Sequence, residues 1–67
     1  MDLLYLAQRR LEVKIGLRDG ERQFVQDNRN HPTVRVFYNL YKKSLTDESS
    51  LSALAEALRD LRTLIGR

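Results

Sequence analysis

Leu11-Glu12-Val13-Lys14-Ile15-Gly16-Leu17-Arg18-Asp19-Gly20 is the stretch on which the fold turns, because it reads two ways. At 100° per residue, Leu3, Leu6, Val13, Leu17 and Phe24 share one face. Leu4, Ala7, Leu11, Ile15 and Val25 form an adjoining strip. That pattern predicts a long helix over residues 2–27 with a broad apolar arc, whole or broken at Asp19-Gly20. Gly16 and Gly20 each weigh against it by about 1 kcal/mol. The rival is a β-hairpin over residues 11–26. Leu11, Val13, Ile15 and Leu17 alternate strictly with other residues, and Asp19-Gly20 suits a two-residue turn. The return strand is poor, since only Phe24 and Val25 are apolar and Leu17 would face Arg22. An uncovered hairpin is also marginal in water. The helix is the preferred reading.

Downstream the signals agree with one another. Asn28, Asn30, His31 and Pro32 interrupt any regular element. Pro32 suits a first helical position, where its missing N–H is not needed. Val34, Phe37, Tyr41 and Leu45 then share a face, flanked by Tyr38 and Leu40, which predicts a helix over residues 32–44. Leu51, Leu54, Leu58, Leu61 and Ile65 follow at alternating steps of three and four, widened by Ala55 and Leu64. A helix over 47–65 is expected, with Thr46 as N-cap and Asp47 and Glu48 in its first turn. Gly66 would stand just past its end in a left-handed conformation. The short link between these two helices predicts an antiparallel hairpin. The expected fold is all-α: one helical domain over residues 1–67, a three-helix bundle of a long or broken first helix plus that hairpin.

Size and composition narrow the class. A chain of 67 residues holds one domain, and 42% apolar with 31% charged residues is a globular balance. The longest apolar run, Leu3 to Ala7, is far too short to span a bilayer. Asp2 before it and the lack of a basic leader make it a poor signal peptide, so a cytoplasmic protein without a membrane role is expected. With no cysteine there is no disulfide or thiolate metal site. So short a chain buries only about 60% of its unfolded surface. Self-association is one remedy, which makes a homodimer an expectation.

Signals for enzyme chemistry are nearly absent, and no enzyme is expected. His31 is the single histidine, beside a proline in a loop, where capping or solvation is the ordinary role. No ligand set for a metal appears, and no cofactor or small-molecule substrate is evident. Asp47-Glu48 is explained by a helix N-terminus. Gly16-x-x-x-Gly20 lacks the Lys-Ser/Thr that completes a P-loop.

Two surfaces remain. A helix over 2–27 carries more apolar surface than one seam needs, so Leu4, Leu6, Leu11, Val13, Leu17 and Phe24 are candidates for protein interaction. The partner would be a second copy, a helix of another protein, or both. The leading expectation is therefore a non-enzymatic interaction or regulatory module, self-associating through apolar helix faces. The alternative is nucleic-acid binding. Residues 1–45 hold nine Lys/Arg against five Asp/Glu, whereas residues 46–67 hold three against four. On a continuous helix Arg10, Lys14, Arg18 and Arg22 recur at i+4 as a positive ridge with Arg9 nearby, and Lys42 and Lys43 could extend it alongside Tyr38 and Tyr41. The helix 47–65 is unsuited to a DNA groove, because Glu48, Glu56 and Asp60 would face phosphates.

Overall fold

Pro32 opens the helix that anchors the molecule. The computed structural model describes residues 3–66. Asp2, where the first helix was expected to begin, lies outside them. The described residues are all helical apart from turns and short links: α1 (Leu3–Ile15), α2 (Asp19–Asp27), α3 (Pro32–Ser44), a 3-10 turn (Glu48–Ser50) and α4 (Leu51–Ile65). The first segment takes the broken form of the expected helix, as α1 and α2, and the β-hairpin over 11–26 does not form.

The break comes earlier than Asp19-Gly20, which lie inside α2. It falls at Gly16, whose φ of 75° is the left-handed conformation that costs glycine little. The Gly16 N–H donates to the Val13 carbonyl at 3.2 Å, and the Leu17 N–H donates back to the Glu12 carbonyl at 2.8 Å. These two bonds satisfy carbonyls that the end of α1 would leave open, the Schellman closure. Glu21 then starts α2: its Oε1 accepts from the Arg18 N–H at 2.9 Å. It supplies one half of a capping box, the reciprocal bond being closed to arginine, which has no acceptor.

The hairpin of α3 and α4 follows the expected lines. Pro32 occupies the first turn of α3, and the His31 Nδ1 accepts from the Thr33 N–H at 3.2 Å. The single histidine is thus a helix cap. Pro32 and Val36 near the start of α3 border one pocket with Ala57 and Asp60 of α4, and α3 also packs on the 3-10 turn that precedes α4, so the two run antiparallel. Two terminal details differ from expectation. Asp47, not Thr46, makes the cap, accepting from the Ser49 N–H at 3.0 Å and the Ser49 hydroxyl at 2.6 Å. These bonds hold its carboxyl below the ordinary value. Gly66 has φ −72°, a right-handed conformation rather than a left-handed one.

Side chains from all four helices make the core: Leu11, Val25, Val34, Phe37, Leu54, Ala57, Leu58 and Leu61. Full burial of each large member contributes about 1.5–3 kcal/mol. Four of the expected leucine-stripe positions turn inward or pack on the core, Leu51, Leu54, Leu58 and Leu61, while Ile65 stays exposed. No helix among the described residues is long and apolar enough to cross a membrane.

At one end of the bundle, Arg62 of α4 ties down the α1–α2 corner. Its Nε donates to Glu21 Oε2 at 2.7 Å, and its Nη2 donates to Glu21 Oε1 at 3.3 Å and to the Gly16 carbonyl at 2.8 Å.

Candidate functional site: the two sides of α1

The helix α1 is attached along one edge. Leu11 and Glu12 are its buried residues, and Ile15 packs against the core. Leu6, Ala7 and Gln8 are half-buried, and the other residues of the helix are exposed. Leu3, at 81%, and Val13, at 77%, are the most exposed large apolar side chains among the described residues, and Leu4 and Tyr5 are more than half exposed. Leu3, Leu6, Arg10 and Val13 recur at steps of three, four and three, so they form one strip on the outer side. The Arg10 side chain makes no ion pair or hydrogen bond among the described residues, and Arg9, Arg10 and Lys14 are exposed on this helix. Glu12, its single acidic residue, is buried on the inner side.

The inner side faces a groove of about 530 Å³ between α1, α2 and α3. Glu12 lies within it, its side chain only 8% exposed. Its Oε2 accepts from the Tyr41 hydroxyl at 3.1 Å, and its Oε1 from Arg22 Nη1 at 3.4 Å, with Arg9 Nη1 at 3.8 Å. One carboxylate thus links three helices. Burial pushes the Tyr41 hydroxyl upward in pKa, and the adjacent Glu12 charge adds to the shift. Higher on the wall, the Arg29 guanidinium and the Lys42 ammonium both sit over the Tyr38 ring, each 4.9 Å from its centroid.

The residues singled out from the sequence fall into separate places. Leu11 is buried, and Leu17 and Phe24 pack against the core, so these three serve the chain's own interior. Leu6 is half-buried, while Leu4 and Val13 remain exposed. The positive ridge is corrected. Because the chain turns at Gly16, Arg10 and Lys14 lie on α1, Arg18 caps α2, and Arg22 is drawn to Glu12 and to Asp19 at 3.4 Å. The i+4 ladder does not continue across the turn. Lys42 borders the groove; Lys43 does not.

Three groove residues escaped the sequence reading. Glu12 sits off the apolar strips, and only the return of α2 brings Arg22 to it. Arg29 belongs to the loop and Tyr5 to the exposed part of α1, and neither has a periodic signal. Tyr38, Tyr41 and Lys42, named from the sequence as aromatic and basic contacts, line the groove, and Tyr38 and Lys42 are i,i+4 neighbours.

Among the described residues no group of three His, Cys, Asp or Glu side chains is placed to hold a metal ion. Comparison with protein-family models, with curated proteins and with solved structures yields no match.

Proposed function

We propose that this chain is a non-enzymatic protein-interaction module. Its docking element is the outer strip of α1, and its occupant is an acidic amphipathic helix of another protein. The observation that carries this reading is the exposure of Leu3 and Val13, the two most exposed large apolar side chains among the described residues, on one strip of α1. Outside that helix, among the described residues, only Val36 is a large apolar side chain more than half exposed. A strip at Leu3, Leu6, Arg10 and Val13 has the spacing by which a helix presents a seam to another helix.

Charge chooses the occupant. The exposed part of α1 carries Arg9, Arg10 and Lys14 and no carboxylate. Two copies pairing through this strip would bring both Arg10 side chains into one seam, flanked by both Lys14 side chains. Like charges so placed oppose association, whereas glutamates on a partner would pair with them. A homodimer is therefore the less favoured occupant.

The test uses two short helical peptides with a leucine seam, one flanked by glutamates and the other by lysines. Titration is followed calorimetrically and by amide chemical shifts. The glutamate peptide is expected to bind and to shift α1 amides. Val13→Asp, at a position that contributes little to the core, should abolish binding, and Arg10→Glu should transfer preference to the lysine peptide. Binding of neither peptide, or equal binding of both, overturns the reading. Sedimentation showing a dimer broken by Val13→Asp would also overturn it, making a second copy the occupant.

A further inference from the structure

We propose that the groove between α1, α2 and α3 is a binding site for a nucleotide, a ligand joining a planar ring to a phosphate. It is separate from the outer strip, because it lies on the inner side of α1.

Size and wall composition are the first support. About 530 Å³ is within the range of small-ligand sites, roughly 300–1,000 Å³. Apolar atoms of Leu17, Val25 and Phe37 line it together with the Tyr5, Tyr38 and Tyr41 rings. Such walls favour a planar, weakly hydrated group that can stack.

Charge supplies the second. Arg9, Arg22, Arg29 and Lys42 border the groove, and Glu12 is the single carboxylate among its lining residues. Glu12 is already satisfied by Tyr41 and Arg22, so the field at the mouth is positive.

The third is the state of Arg29 and Lys42. Neither forms an ion pair among the described residues; both rest against Tyr38. A cation over a tyrosine ring at an exposed site is held less strongly than one in a charge-assisted hydrogen bond to phosphate. Both cations can turn to an incoming phosphate without releasing a carboxylate, and the ring they leave becomes a stacking face. A bare anion would leave the apolar wall wet, and an apolar ligand would desolvate the cations without pairing them. A nucleotide meets both demands.

The same chemistry is presented by a free mononucleotide and by a unit of single-stranded nucleic acid, and the test separates them. Isotope-labelled protein is titrated with adenosine monophosphate, with a short single-stranded oligonucleotide and with inorganic phosphate, at low and moderate salt. Nucleotide or oligonucleotide should shift the Tyr38, Arg29 and Lys42 side-chain resonances, with phosphate alone binding more weakly. Tight, strongly salt-dependent binding of the oligonucleotide identifies a strand as the source. Comparable binding of the monophosphate identifies a free nucleotide. The double variant Arg29→Ala/Lys42→Ala should weaken binding by about tenfold or more, since charged hydrogen bonds are lost. Both side chains are exposed, so folding is retained and is checked by circular dichroism. Lys43→Ala/Arg59→Ala removes equal charge away from the groove and should change binding less than threefold or so. Tyr38→Phe should bind and Tyr38→Leu should not. The proposal is overturned if neither nucleotide nor strand binds. Equal weakening by the two double variants, or no weakening by the first, overturns it as well.

Discussion

Removing the Arg62 side chain tests whether the α1–α2 corner is held by α4 or stands by itself. Arg62 donates three hydrogen bonds, two to Glu21 and one to the Gly16 carbonyl. Hydrogen bonds to charged groups contribute about 1.5–3 kcal/mol each when well shielded, while exposed ion pairs contribute about 0.2–1 kcal/mol. The Glu21 side chain is 13% exposed but that of Arg62 is 44% exposed, so solvent screening discounts the sum heavily. Arg62→Ala should cost about 1.5 kcal/mol. In a chain of this length that lowers Tm by roughly 6–12 °C, against a total stability on the order of 3–10 kcal/mol. Thermal unfolding followed by circular dichroism measures it. Glu21→Gln provides the partner for a double-mutant cycle, since a glutamine oxygen can still accept from the Arg18 N–H. The two changes should couple by about 1 kcal/mol.

Acid titration gives a second reading of the same contact. The hydrogen bond from Arg62 is the largest influence on Glu21 and lowers its carboxyl below the ordinary value of 4.5. Desolvation opposes it, and the Arg18 N–H and both guanidinium charges assist. A carboxyl lowered on folding binds its proton more readily when unfolded. Its stabilisation is therefore present above about pH 4.5 and is lost as pH falls through the lower folded value. Arg62→Ala should flatten this acid limb. A Tm drop below about 2 °C, additive single and double variants, or an unchanged acid limb would refute the reasoning.

Two further substitutions probe the backbone turn and the core. Gly16→Ala places a Cβ in a left-handed residue, where it would meet only Arg62 Nη2 at an ordinary contact distance of 4.0 Å, so the cost is conformational: a loss of about 1–2 kcal/mol in denaturant unfolding is expected. Ser44 is buried in the last turn of α3, and its hydroxyl has no hydrogen-bond partner among the described residues. Ser44→Ala removes that unpaired group and improves helix propensity, so stability should rise by about 0.5–1.5 kcal/mol in the same assay.

The regular elements with one strong period were legible in the residues alone. The step of three and four through Leu51, Leu54, Leu58 and Leu61 has only one helical face on which to lie. Pro32 can start α3 because it needs no donor there. These are local rules, satisfied within one or two turns, and the hairpin of α3 and α4 follows from them and from the short link. The all-α class was legible for the same reason.

Residues 3–27 were decided by tertiary structure. Their periodicity is satisfied by one helix or by two, and local sequence does not say where α1 ends. Gly16 and Gly20 are alike to a local rule. Only one of them has its carbonyl held by a guanidinium from the far end of the chain and lies next to a turn closed by Glu12. That turn brings Arg22 back to Glu12, breaks the basic ladder, divides the apolar strips between core and surface, and opens the groove. The turn itself is closed by local bonds, but the contacts that hold it in place, Tyr41 to Glu12 and Arg62 to Glu21 and Gly16, join residues far apart in sequence. Composition and periodicity determine which segments are helical. The packing of α2 and α4 against α1 determines which of their side chains are left for a partner.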